Sequence, residues 1–352
     1  MTFQQISINT ASPQPVRAKV MIIYTGGTAG MVADAQGTLK PFDFSLILQH
    51  IPTLRNLMLE LTVIAFDSPV DSSNIGPADW VMIAEIIELN YHRQDGFVIL
   101  HGTDTMAYTA SALSFMLEGL EKPVIFTGAQ LSITHPRSDA RENLITALEI
   151  ASMKEDGRAI VPEVAIYFGD QLLRGSRSKK VESNHFDAFQ SENYPPLAKA
   201  GVRIEFNRPA IQRSVSGKFR VRKNFCRDIA ILKIFPGIQP QIVSGALQAA
   251  GIKGVVMETY GSGNAPTANW FLEALTTAIQ SGVVVVNVSQ CPGGMVQQGK
   301  YETSRALAQI GVIGGADMTT EAAITKLMLG LGEYPVDDIK TWMLAPVCGE
   351  LS

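Results

Sequence analysis

The chain has 352 residues, enough for about two domains at roughly 100–200 residues each. Hydrophobic residues make up 46% and charged residues 18%, below the ~25% charge of an average domain, which excludes whole-chain disorder. The net charge is -4 with no basic stripe along any periodic segment, which argues against an extended nucleic-acid interface because phosphate neutralisation needs many lysines and arginines.

Residues 1–18 are rich in Gln, Ser and Pro and lack the apolar stretch of a secretory signal. A frayed, disordered tail is expected there. Lys19 to Thr25 (KVMIIYT) is a short apolar, β-branched run that stops at Gly26-Gly27, the pattern of a fully buried parallel strand. The segment from Thr28 to Pro41 reads as a flexible hairpin. The clearest unit begins at Asp95. Gly96 to Leu100 is a strand, His101-Gly102-Thr103-Asp104-Thr105 turns the chain, and Met106, Ala110, Leu113, Leu117 and Leu120 then form one helical face. Lys122 to Phe126 is the next strand, so the whole is a βαβ unit with a right-handed crossover. Pro195-Pro196 opens a less regular stretch running to about Asp228, with short alternating patterns at Val202 to Phe206 and Lys218 to Val221, which reads as a linker carrying strands of its own.

The α/β rhythm then returns. Ile229–Ile234, Gly254–Met257 and Val283–Val288 read as strands, and the segments from Thr267 to Ser281 and from Thr319 to Leu331 as helices. The expected division is a tail at 1–18, an N-terminal domain at 19–200, a linker at 201–228 and a C-terminal α/β domain at 229–352. No apolar run reaches the ~18 residues of a membrane helix. Cys226, Cys291 and Cys348 are odd in number and lack CxxC spacing, which favours reduced thiols over a disulfide framework or a zinc site. A soluble, cytoplasmic protein is expected.

Ligands of open parallel sheets bind at the carboxyl ends of the strands. Those ends carry Thr25 to Thr28, Thr103-Asp104-Thr105, and Thr127-Gly128-Ala129-Gln130. The Thr103–Thr105 turn also opens a helix, whose free N–H groups and dipole suit an anion. The plainer alternative, a Thr103 or Asp104 that merely caps the helix, carries equal weight. The segment Gly26-Gly27-Thr28-Ala29-Gly30 is not the GxGxxG dinucleotide fingerprint. No Walker A, GxSxG or HExxH motif is present, and His50, His92, His101, His135 and His185 are scattered. Each histidine reads as a surface or satisfied core residue. A hydroxyl nucleophile needs a base, and the basic cluster from Arg174 to Lys180 offers one. By residue type alone a solvated basic turn is the better reading of that cluster.

With these segments in view, the chain resembles the bacterial-type L-asparaginase family, most closely its cytoplasmic type I branch, from about Lys19 to Lys326. The motifs are Tyr24-Thr25-Gly26-Gly27-Thr28 and His101-Gly102-Thr103-Asp104-Thr105-Met106, with Asp71-Ser72-Ser73, Thr127 to Gln130, Arg137-Ser138-Asp139 and Tyr260 to Pro266 in support. The resemblance implies a two-domain asparaginase/glutaminase-like α/β fold with parallel sheets, a larger N-terminal domain and a smaller Rossmann-like C-terminal one. It implies Thr25 as the nucleophile and Thr103, Asp104 and Lys180 as a second catalytic group. Substrate would be held by Gly26, Ser72, Ser73, Gly102, Thr103, Asp104 and Ala129, with backbone N–H near Thr103 facing the developing oxyanion. No cofactor or metal is implied, and the partners are L-asparagine and, in a homotetramer built from dimers, further copies of the chain.

Three departures stand out. Many members carry a tyrosine in the hairpin after the first strand. Here 28–41 has none, Thr38 sits near its place, and Tyr301 is the candidate substitute. Glu258 stands where members that bind a second, regulatory asparagine have arginine, which argues against that site although Cys291 matches one of its residues. Archaeal amidotransferase relatives carry an extra N-terminal domain, for which an 18-residue lead is too short. Mixed asparaginase–glutaminase activity and a non-catalytic amino-acid-binding protein are the alternatives.

Overall fold

The computed structural model describes residues 3–11, 13–33, 39–41, 44–213, 217–299 and 302–352. The chain divides into two compact units, Met1–Ser191 with Pro195–Val221, and Glu192–Tyr194 with Arg222–Ser352.

The first unit is built on a nine-stranded sheet. Its strands are β1 (Phe3–Asn9), β2 (Ala18–Tyr24), β3 (Leu59–Phe66), β4 (Gly96–Leu100), β5 (Val124–Thr127), β6 (Val164–Phe168), β7 (Gln171–Arg174), β8 (Ala198–Ala200) and β9 (Ile204–Phe206), in the order β1-β3-β2-β4-β5-β6-β7-β8-β9. The five central strands from β3 to β6 pair in parallel. β2 and β4 read AKVMIIY and GFVIL and are buried almost throughout, because helices cover both faces of a parallel sheet and leave no solvated side. Helices α1 (Pro77–Asn90), α2 (Met106–Met116) and α3 (Ala140–Ser152) belong to this unit.

Both edges of the sheet depart from the parallel expectation. β1 pairs antiparallel with β3, Ile6 opposite Val63 and Ile8 opposite Leu61. Phe3–Asn9, within the stretch expected to be a disordered tail, is therefore an edge strand. At the other edge β7, β8 and β9 run antiparallel in turn. β9 and the Arg220–Val221 ladder lie within the expected linker, at its two alternating patterns, and residues of that stretch up to Val221 belong to the first unit while those from Arg222 belong to the second.

The second unit holds a four-stranded parallel sheet, β10 (Ile229–Lys233), β11 (Gly254–Thr259), β12 (Val284–Ser289) and β13 (Ile313–Gly314), paired in chain order. Alternate residues of a strand face opposite sides. Val255 and Met257 join a core with Val243 and Leu247 of α4 (Pro240–Leu247) and Phe271 and Leu275 of α5 (Asn269–Gln280). Gly254 faces the other way, where a Cβ would lie 2.9 Å from Leu327 of α6 (Thr320–Glu333). No helix among the described residues is long and apolar enough to cross a membrane.

Candidate active site

Thr25 follows the last residue of β2 and is wholly buried. Its backbone N–H and its hydroxyl both donate to the Leu100 carbonyl at the end of β4, each at 3.1 Å, and its own carbonyl accepts from Val70 N–H at 2.8 Å. Gly26 and Gly27 adopt φ of 142° and 88°, conformations that side chains disfavour. A Cβ on Gly26 would stand 2.2 Å from the Val70 carbonyl oxygen, and one on Gly27 would stand 2.6 Å from Gly102. Bare backbone is what lets the turns after β2 and β4 touch. Gly27→Ala is therefore expected to destabilise the chain by roughly 1–3 kcal/mol, the range for overpacking, read as a lowered urea midpoint.

Gly102 is equally crowded, its missing Cβ being replaced by Ser72, whose Oγ would lie 2.5 Å away. Ser72 is buried, and its carbonyl accepts the Thr105 hydroxyl at 2.6 Å. Ser73 is exposed, and its N–H and hydroxyl both donate to Asp71 Oδ1 at 2.9 Å. Those two bonds hold the Asp71 carboxyl below its ordinary value.

Lys180 reaches the same turn from a short hairpin in which Lys179–Lys180 pairs with Phe189–Gln190. Its ammonium donates to Thr103 Oγ1 at 2.7 Å and to Asp104 Oδ1 at 2.6 Å. These are charge-assisted bonds. The Lys180 side chain is 19% exposed and that of Asp104 is 65% exposed, so the aspartate offers an open face to a ligand. Thr103 and Asp104 are thus committed to a lysine rather than to capping. Helix α2 begins after Thr105, whose side chain makes no capping bond.

The turn after β5 is held from α3. Asp139 accepts N–H of Gln130 at 2.9 Å and of Leu131 at 3.0 Å, and Asn143 donates to the Gly128 carbonyl at 3.0 Å. Ala129 is buried within that turn. The Gln130 side chain donates to the His185 carbonyl at 3.0 Å, which ties the turn to the hairpin carrying Lys180. Residue type and spacing gave no hint of Val70, Asp139 or Gln130 as supports, although Asp139 and Gln130 fall inside quoted motifs. Tyr301 and Thr38 lie outside the described residues. In the second unit, Glu258 accepts the Thr320 hydroxyl at 2.6 Å and pairs with Lys233 at 3.4 Å. No cluster of metal-binding side chains occurs among the described residues.

Family models match both halves of the chain. Residues 19–212 match the N-terminal asparaginase domain and residues 228–343 match the glutaminase/asparaginase C-terminal domain. The chain belongs to the asparaginase family. It is 42% identical over 341 residues to L-asparaginase 1 of Escherichia coli, covering 96% of this chain and 98% of that one. The solved L-asparaginase I of Vibrio cholerae superposes with a TM-score of 0.87 at 40% identity, covering 96% of this chain and 100% of that one. The thermostable L-asparaginase of Thermococcus kodakarensis gives 0.87 at 33% identity, covering 95% and 99%. The two-domain asparaginase fold expected from the motifs is the fold observed, with antiparallel strands added at both edges of the larger sheet.

Proposed function

We propose that this chain hydrolyses L-asparagine to L-aspartate and ammonia through an acyl-enzyme on Thr25. The observation that carries the reading is the Lys180–Thr103–Asp104 cluster, bonded at 2.6 and 2.7 Å, in the same array of strand ends as a fully buried threonine. Thr25 Oγ attacks the side-chain amide carbon and its proton passes to a base. The C–N bond breaks, ammonia takes up a proton, and an ester remains. Water then attacks the ester and aspartate leaves. Lys180 donates to Thr103 and so orders the hydroxyl that relays the proton of the attacking group, and Asp104 balances the lysine's charge. Gly26, Ser72, Gly102 and Ala129 line the array. The exposed Asp104 carboxylate faces the substrate ammonium, and Ser72 faces the α-carboxylate with Ser73 beside it.

The resemblance to the type I branch extends the proposal to a cytoplasmic homotetramer of paired dimers. The absence of a disulfide among the three cysteines supports the compartment, and light scattering coupled to size exclusion reads the mass. Glutamine is longer by one methylene, worth only ~1–3 kcal/mol of discrimination. Purified protein is expected to release ammonia from L-asparagine with a kcat/KM roughly 10–200 times that for L-glutamine. The saturation curve is expected to be hyperbolic, since a carboxylate at position 258 repels a regulatory asparagine. Folded protein that releases no ammonia from either amide would replace the hydrolase reading with that of an amino-acid-binding protein.

A further inference from the structure

Thr105 ends the Thr103-Asp104-Thr105 turn and opens helix α2, yet its side chain makes no capping bond. A threonine at the start of a helix ordinarily turns its hydroxyl oxygen to the free N–H groups of the first turn. Here the hydroxyl donates to the Ser72 carbonyl at 2.6 Å. A carbonyl oxygen only accepts and a hydroxyl has one hydrogen, so the direction of the bond is fixed and the hydrogen is committed to it. The partners lie 33 residues apart. The bond therefore serves the seating of one turn on another and not the helix that Thr105 begins.

Ser72 opens the short turn Ser72–Asn74, which follows Asp71. Most bonds of this segment close on itself. Ser73 is held by Asp71, Asn74 N–H donates to the Asp71 carbonyl at 2.8 Å, and Ile75 N–H donates to the Ser72 carbonyl at 3.2 Å. Two features join the segment to the turn after β4. Gly102 lets the buried Ser72 side chain approach, since a Cβ on that glycine would stand 2.5 Å from Ser72 Oγ. Among the described residues, Thr105 supplies the hydrogen bond that fixes the backbone of the segment to that turn.

We propose that Thr105 is a positioning residue for substrate binding, whose hydroxyl fixes the Ser72 backbone so that Ser72, with Ser73 beside it, meets the substrate α-carboxylate. The pairing of that carboxylate with Ser72 rests on the asparaginase reading above. Through amide hydrolysis the α-carboxylate keeps its charge and its bonds, while bonds form and break at the side-chain amide. A contact that serves the α-carboxylate therefore stabilises ground state and transition state alike. Its loss raises KM and spares kcat.

The test compares three variants in kinetics and in binding. Thr105→Val keeps the shape of the side chain and removes the hydroxyl. The Ser72 carbonyl retains Ile75 N–H, so no buried acceptor is stranded. KM for L-asparagine is expected to rise about ten-fold, the scale of one hydrogen bond, with kcat within about three-fold of wild type. Thr105→Ala also lacks the hydroxyl and is expected to behave as the valine variant does, which keeps the test open if valine disturbs the helix start. Thr105→Ser restores the donor and is expected to bring KM back to within about three-fold of wild type. Calorimetric titration with L-aspartate, which carries the same α-carboxylate and needs no turnover, is expected to show the same loss in the valine and alanine variants and the same recovery in serine. Wild-type KM and aspartate affinity in a folded variant without the hydroxyl overturns the proposal. So does a fall in kcat as large as the fall in kcat/KM, or a serine variant as impaired as the valine one. Wild-type protein that binds L-aspartate but releases no ammonia would instead count against the hydrolase reading, and the calorimetric comparison would still decide the role of Thr105.

Discussion

Thr25→Ala is expected to fold like the wild type and to lose at least roughly 10⁴-fold in kcat, the scale seen when a nucleophile acting with its partners as one unit is deleted. Stability changes little, because the Leu100 carbonyl that loses the Thr25 hydroxyl keeps the Thr25 N–H at 3.1 Å. The net loss is that of one hydrogen bond, about 1 kcal/mol. Thr25→Ser restores a hydroxyl and part of the rate. Lys180→Met removes the donor shared by Thr103 and Asp104, and a loss of about 10²- to 10⁴-fold is expected for a proton-transfer group. The double variant is expected to be no slower than Thr25→Ala, since the lysine has nothing left to serve once the nucleophile is gone. Ammonia release at saturating asparagine measures all four. A Thr25→Ala variant within ten-fold of wild type would move the nucleophile to Thr103.

How much of this was legible before the structure differs from element to element. β2 and β4 were plain, because buried parallel strands have no solvated face and therefore read as unbroken apolar runs. β1 was missed because its alternation rests on Ile6 and Ile8 alone. Its strand character comes from a seven-residue ladder with β3, which runs from Phe3 opposite Phe66 to Asn9 opposite Glu60. Helix α2 has helical periodicity through Leu120, yet it ends at Met116 because Leu117–Glu118 pair with Arg220–Val221. A long-range ladder there overrides a local pattern. In the site, Thr25, Thr103, Asp104 and Lys180 came from the family motifs. Spacing alone left the Thr103-Asp104 turn between cap and site and favoured a solvated Lys180. The structure brings Thr103, Asp104 and Lys180 together across more than seventy residues. His101 looked like any scattered histidine, and the structure buries it with its ring bonded to the Gly102 carbonyl and to Thr109.

Lys326→Met is expected to cost about 3–5 kcal/mol, the largest stability loss of any single change considered, because it strands a buried carboxylate. Lys326 and Glu350 both have side chains with no exposed surface. The ammonium donates to the Met343 carbonyl at 3.0 Å, to the Ala345 carbonyl at 2.6 Å, and to Glu350. Glu350 in turn accepts N–H of Val347 at 3.1 Å and of Cys348 at 2.9 Å. The knot ties the last turn of the chain to helix α6, and Trp342 adds a bond to the Lys326 carbonyl at 3.0 Å. Burial alone would raise the Glu350 pKa, but the Lys326 charge and the backbone N–H groups outweigh it and hold the carboxyl below the ordinary glutamate value. A carboxyl depressed in the folded state adds stability above its unfolded pKa and loses it as pH falls through the folded one. The urea midpoint of the wild type is therefore expected to drop on the acid side of the glutamate range. In Glu350→Gln that segment of the pH curve should flatten while the midpoint near neutral pH falls. The double variant Lys326→Met/Glu350→Leu should lose less than the two single changes combined, because the unpaired charge that makes each one costly is then absent. Full additivity would mean that the pair contributes as two separate contacts, and that the tail is held by its backbone bonds instead.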